Sequence, residues 1–275
     1  MKHDFRNGAR KALAQARKEL DSGDDARLKY AALELRFAIE AIAYDKAQSY
    51  QKELPPKEYA TWQPRKLMQV LIEIDPNADK PSAISFGVEE EYGKPAKEMQ
   101  FLGKEDPLTL ANIKKHYDAL GSYLHMPTLD QINKGIGTDN VKLRERCNTV
   151  ITIITEVLES RVFNITIGNF AEVSCSRCNA KIRKRIPLGQ SKTEANCFEC
   201  GAPYVVTDIG NSQVEWTRKG EHVPCPNPNL QCKEKFFLFA DQIKPGTKLR
   251  CDGCGMGFRL FIGIEEAVAA PAPAE

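Results

Sequence analysis

The sequence predicts an α+β chain of several domains, helical in its first part and built from small β-hairpin modules in its last third. Three observations carry this. Apolar residues recur at three- and four-residue steps up to about residue 160, the period of helices with one buried face. From Phe163 onward the texture changes to short alternating runs separated by turn residues, the pattern of strands. Eight of the nine cysteines fall between residues 175 and 254. A chain of 275 residues suggests two or three domains. With 42% hydrophobic and 28% charged residues it has the balance of a globular protein that buries a core.

Taken in order, residues 4–20 read as a first helix, ended by the turn-like DSGD. In DARLKYAALELRFAIEAIAYDKAQSY, Leu28, Ala32, Leu35, Ile39 and Ile42 make one buried stripe. Tyr30, Leu33, Phe37, Ala41 and Tyr44 widen it, so this second helix is expected at the centre. Pro55 and Pro56 break the chain, and Pro64 opens a third helix at the position where its missing N–H costs nothing. ISFGVEEEYGKPAKEMQFLG reads as an inserted hairpin or loop. Asp106 as cap and Pro107 as first residue predict a fourth helix running through His125. Asp139 or Asn140 starts a fifth, to about Ser160, with Cys147 as a small core residue. Five helices with short connections suggest an up-and-down bundle. The expected division is a bundle over 1–135, a long helix and connector over 136–170, β modules over 171–212 and 213–263, and a disordered tail over 264–275.

The formal charge of +2 implies no global electrostatic partner. Its distribution is uneven, because residues 171–262 carry 14 basic and nine acidic side chains. No apolar run approaches the roughly 18 residues of a membrane span. The start, MKHDFRNGARKALAQ, lacks the apolar stretch of a secretory signal. The expectation is a cytoplasmic chain, where paired cysteines point to metal rather than to disulfides.

The cysteines form four pairs: Cys175/Cys178, Cys197/Cys200, Cys225/Cys232 and Cys251/Cys254. Both long gaps, Cys178 to Cys197 and Cys232 to Cys251, hold 18 residues. The pattern is a tandem repeat in which Cys178, Cys197, Cys200, Gly201 and Tyr204 correspond to Cys232, Cys251, Cys254, Gly255 and Phe258. The first knuckle of the second copy, CPNPNLQC, is four residues longer. Two thiolates on a tight turn can both reach one ion at about 2.3 Å. Glycine after the second cysteine (Gly201, Gly255), or asparagine (Asn179), permits the left-handed backbone such a knuckle needs. Two knuckles give a closed tetrahedral site, and each ion adds on the order of 10–16 kcal/mol of folding energy. Both copies resemble the zinc-ribbon family, over about residues 171–262. The resemblance implies two structural zinc ions held by the eight cysteines, with no open position for catalysis. A redox CxxC, an iron–sulfur centre and a cross-braced pairing are the competing readings, and His222 is an outside candidate ligand.

Between the first two knuckles, KIRKRI places Lys181, Arg183 and Arg185 on one strand face, a candidate nucleic-acid surface. The alternative is a solvated edge that resists aggregation. Two four-thiolate zinc sites would each add −2, reducing the local +5 to about +1. The corresponding stretch of the second copy, KFFLFA, offers Phe236, Phe237 and Phe239 for base stacking, for a protein partner, or for the module's own core.

LELRFAIEAIAY and, downstream, HYDALGSYLHMP resemble the HEPN superfamily over about residues 25–130. Arg36 and Glu40 match its Arg–x3–Glu, and His125 its helix-end histidine. The resemblance implies a helical bundle, a homodimer formed through it, bacterial phage defence, and a pocket of Arg36, Glu40, Tyr123 and His125 for a nucleotide or RNA phosphate. HEPN ribonucleases place an arginine before the histidine with four to six residues between the two. Those positions here are Leu120, Ala119 and Asp118, which counts against nuclease activity. The plain alternative is an ion pair one helical turn apart, with His125 at a helix end. The favoured function is non-catalytic nucleic-acid recognition. A protein–protein adaptor and a divergent ribonuclease are the alternatives.

Overall fold

The computed structural model describes residues 3–55, 58, 60–91, 94, 96–135, 137–166, 170–186, 190–211, 213–227, 232–261 and 263. The expected tail over 264–275 lies outside them. The chain divides into two compact units, Met1–Phe170 with Arg183–Leu188, and Ala171–Ile182 with Gly189–Glu275.

The first unit is a helical bundle. Its helices are α1 (Phe5–Asp21), α2 (Leu28–Ser49), α3 (Pro64–Ile74), α4 (Leu110–Ser122), α5 (Leu129–Asn133) and α6 (Asn140–Glu159). Helix α2 packs against α1, α3, α4 and α6 through its buried stripe, whereas Tyr30 and Phe37, expected to widen that stripe, are exposed. Ala31, Ala32, Ala38 and Ala43 are fully buried beside Leu35, Ile39 and Ile42, and these small side chains let the neighbouring helices come close. Cys147 is buried in α6, and burial pushes its thiol up to about 11. A hairpin of β1 (Ser82–Phe86) and β2 (Gln100–Glu105), with a bulge at Ile84/Ser85, joins α3 to α4.

Two details depart from the sequence expectation. Helix α4 starts at Leu110 with Thr109 as its cap, whose hydroxyl accepts from the Asn112 amide at 3.1 Å. Asp106 is engaged elsewhere, paired with Lys104 at 2.7 Å, and the helix ends before His125. Among the described residues there are six helices rather than five. The extra one, α5, is a single turn nucleated by a Thr128/Gln131 capping box, too short to leave a periodic signal.

From Phe170 onward the chain is a series of hairpins. Strand β3 (Phe170–Ser174) pairs with β4 (Lys181–Arg185); β5 (Lys192–Asn196), β6 (Pro203–Gly210) and β7 (Gln213–Arg218) form one sheet. Strand β8 (Gly220–Pro224) pairs with β9 (Lys235–Phe239), and β10 (Lys248–Arg250) with β11 (Gly257–Arg259). Each cysteine pair caps one hairpin. Strand β7 adds to the sheet of the first copy rather than to the second. Tyr204 is the centre of the unit's aromatic core, with Trp216 at 6.1 Å and Phe239 at 5.8 Å between ring centroids.

Candidate metal centre

Three of the four knuckles repeat one backbone pattern. The amide of the first cysteine donates to a carbonyl five residues on: Cys175 to Ala180, Cys197 to Ala202 and Cys251 to Met256, at 2.8–2.9 Å. The amides of Asn179, Gly201 and Gly255 return to the carbonyl of the first cysteine at 2.8 Å. These three residues have φ of 62°, 74° and 70°, the left-handed geometry their identities permit. The longer fourth knuckle keeps its anchoring bond, from the Cys225 amide to the Glu234 carbonyl at 2.9 Å.

These turns gather the sulfurs into two groups, Cys175, Cys178, Cys197 and Cys200, and Cys225, Cys232, Cys251 and Cys254. Within each, all ligand atoms lie within 4.8 Å of one another. Across the knuckles the Sγ–Sγ distances are 3.6 Å (Cys175–Cys200), 3.5 Å (Cys178–Cys197), 3.8 Å (Cys225–Cys254) and 3.5 Å (Cys232–Cys251). A tetrahedral ion with sulfur at about 2.3 Å needs edges of about 3.8 Å, whereas a disulfide needs about 2.0 Å. The spacing fits an ion, and each group can hold one zinc ion. The pairing is sequential, so the cross-brace does not hold. His222 stands outside the ligand groups, its ring against Phe237 at 5.1 Å. The arrangement fits tandem zinc ribbons.

Around the first group the sequence supplies donors that spacing alone does not announce. Arg177, inside the first knuckle, donates from Nε to Cys200 Sγ at 3.3 Å and is held by Asp241 at 2.9 Å. Its guanidinium lies 5.0 Å from the Phe239 ring centroid. The Tyr204 hydroxyl lies 3.5 Å from Cys175 Sγ and accepts from the Ser176 amide at 2.8 Å. The signal that could have found Tyr204 is its repeat partner, Phe258, which lacks a hydroxyl. As free thiols the members of each group are unequal. Burial raises Cys175, but the Tyr204 hydroxyl and the amides of Arg177 and Cys178 bring it down to about 6. The Met256 amide and the Asn227 side chain bring Cys254 down to about 6. Burial pushes Cys197 and Cys225 up to about 12.

The basic strand is not a free face. Lys181 pairs with Glu172 at 2.8 Å. Arg183 and Lys184 donate to the carbonyls of Lys52 and Glu73. Arg185 is buried against Asp75 at 2.6 Å, where Asp75 also accepts from the Tyr50 hydroxyl at 2.7 Å, and it lies 4.6 Å from the Phe170 ring centroid. Burial and Asp75 push the Tyr50 phenol far up. Of the phenylalanines, Phe239 is buried in the core, Phe237 lies 4.0 Å below the Arg218 guanidinium, and Phe236 packs on Phe258 at 6.0 Å.

In the bundle, Arg36 and Glu40 meet on Tyr117. Arg36 donates to the Tyr117 carbonyl at 3.0 Å and covers its ring at 3.9 Å, while the Tyr117 hydroxyl donates to Glu40 at 2.5 Å. Gly121 makes room for that guanidinium, since a Cβ there would stand 1.9 Å from Arg36 Nη1. Tyr123 caps the end of α4, and His125 lies exposed beyond it. Among the described residues no hydrogen bond or ring contact joins either of them to Arg36 or Glu40. A second polar cluster, not foreseen from the sequence, is buried nearby in the same unit. Lys46 pairs with Glu105 at 2.9 Å, and Glu105 accepts from the amides of Asn164 and Ile165 at 2.8 and 3.1 Å. Lys46, Glu105 and Asn164 line a cavity of about 20 Å³, the space of one water.

No protein-family model, curated protein or solved structure matches the chain. Among the described residues no helix is long and apolar enough to cross a membrane.

Proposed function

We propose that this is a non-catalytic recognition protein that binds nucleic acid through its zinc-ribbon half. All four sulfurs of each group are placed to hold one ion, which would leave no coordination position for a substrate and make the metals folding staples. The observation that carries the nucleic-acid reading is the state of the cations in the second unit. Arg177, Lys181 and Lys219 are paired with Asp241, Glu172 and Glu194. Lys192, Lys244, Lys248, Arg250 and Arg259 are exposed and, among the described residues, have no ion-pair partner. Such a surface suits phosphate contact. The test is binding of labelled RNA and DNA across a salt series. Affinity is expected to fall steeply with salt; no binding at low salt refutes the reading.

The HEPN-like character of the bundle, its use as a homodimer surface and a place in bacterial phage defence belong to the same proposal. Their support is the convergence of Arg36 and Glu40 on Tyr117, and the exposed Tyr30 and Phe37 of α2. A ribonuclease reading draws no support from His125, which lies exposed beyond α4. The adaptor reading has one observation in its favour: the β1–β2 hairpin exposes Phe86, Val88, Met99, Phe101 and Leu102.

A further inference from the structure

The last hairpin divides its residues cleanly between two faces. In its register Lys248 stands opposite Arg259, Leu249 opposite Phe258, and Arg250 opposite Gly257. Leu249 and Phe258 are half-buried, with Phe258 against the Phe236 ring. Alternation therefore turns Lys248, Arg250 and Arg259 to the other face, and all three are exposed. Beyond the ladder the hairpin closes on a bulge, where Leu260 donates to the Thr247 carbonyl and accepts from the Gly246 amide, both at 2.8 Å, with Gly246 at φ 85°. Leu260 is half-buried, and Phe261, two residues beyond Arg259, is 77% exposed.

This face has two features that stability does not explain. Lys248 and Arg259 are like charges directly opposite one another, an arrangement that disfavours the hairpin. Among the described residues none of the three cations has a carboxylate or a hydrogen-bond acceptor for its side chain. Balancing the zinc–thiolate charge accounts for part of the excess. None of the three touches a sulfur, however, whereas Arg177 of the first copy does. Charge balance also gives no reason for an exposed phenyl ring beside them. Cations about 6.8 Å apart along a strand, with an exposed aromatic ring two residues beyond Arg259, are the parts of a surface that tracks a phosphate backbone and stacks an unpaired base.

We propose that the outer face of β10–β11 binds single-stranded nucleic acid, with Lys248, Arg250 and Arg259 on phosphates and Phe261 against a base. This rests on the nucleic-acid reading above. A duplex keeps its bases stacked on one another and offers the ring no partner.

The experiment compares the full chain with two variants, the triple Lys248→Gln, Arg250→Gln, Arg259→Gln and the single Phe261→Ala. Both variants are first checked to retain two zinc equivalents. Binding is measured by anisotropy with labelled oligouridine, oligothymidine and a DNA duplex over a salt series. The triple variant is expected to bind at least tenfold more weakly, and its salt slope to fall by about two, from three lost contacts at roughly 0.7 each. Phe261→Ala is expected to lose about tenfold with its slope unchanged. The two single-stranded probes distinguish RNA from DNA. Wild-type binding that the triple variant leaves intact overturns this face while the broader reading stands. Tighter binding to the duplex overturns the single-strand assignment. No binding by the wild type overturns both.

Discussion

In the first ribbon a guanidinium and a phenol reach the sulfurs; in the second, the neighbours are amides and the cations face outward. Arg177 lies 3.3 Å from Cys200 Sγ and Tyr204 3.5 Å from Cys175 Sγ. At the repeat position of Tyr204 the second copy has Phe258, and its side-chain donor is Asn227, toward Cys254. Cys175 and Cys197 are both buried in the first group, whereas only Cys251 is buried in the second. A four-thiolate zinc site carries −2, and Arg177, itself paired with Asp241, offsets part of it. The repeat therefore keeps the staple while its charges do different work. The first copy engages all its cations but Lys192 in internal contacts, and the second leaves Lys248, Arg250 and Arg259 available.

The strongest test of this difference removes one buried sulfur from each staple. Cys197→Ser and Cys251→Ser should each lower bound zinc from two equivalents to one, with a loss on the order of 10 kcal/mol of local folding energy. The consequences should differ in place. The Tyr204–Trp216–Phe239 core stands beside the first group, so Cys197→Ser is expected to open strands β5 to β7 to protease. Cys251→Ser is expected to open β10–β11 and leave those strands protected. Limited proteolysis with metal analysis reads both, and identical cleavage maps would erase the distinction.

A smaller effect separates the cations themselves. Asp75→Asn leaves Arg185 buried without its counter-charge, and a broken buried pair of this kind costs about 3–5 kcal/mol. Lys248→Gln, on the exposed face, is expected to change stability by no more than about 0.5 kcal/mol. Urea unfolding compares the two. Equal costs would mean that the cations are not divided into internal and available sets.

That division was not legible in the sequence, although the sulfur sites were. Spacing is local information: two knuckles, 18 residues and a left-handed residue after each short turn specify a site whatever surrounds it. Asn179, Gly201 and Gly255 take the positive φ that their identities predict. The fate of a cation depends on partners far along the chain. Lys181, Arg183 and Arg185 alternate on one strand face, yet Arg185 is claimed by Asp75 at the end of α3, and Arg177 by Asp241, 64 residues on. The start of α4 was missed for a related reason. Asp106 and Thr109 are both good caps, and the choice fell to Thr109 with Asp106 paired to Lys104.

The subtlest difference is the rate at which the two ions leave. Protons compete with metal for thiolate, so both groups release zinc as pH falls. At neutral pH, release to a chelator is expected in two phases, the second group first, because its ligands are less buried and, among the described residues, no cation donates to its sulfurs. Arg177→Gln removes both the donor to Cys200 and the compensating charge. Hydrogen-bond partners of metal ligands are commonly worth ten- to a hundredfold in affinity, so the slow phase should quicken by about tenfold while the fast phase stays put. Tyr204→Phe, which gives the first copy the residue of the second, should do less, since a neutral hydroxyl bond is weaker than a charged one. If Arg177→Gln leaves two separated phases unchanged, the asymmetry lies in burial alone and the guanidinium serves Asp241 and Phe239 rather than the metal.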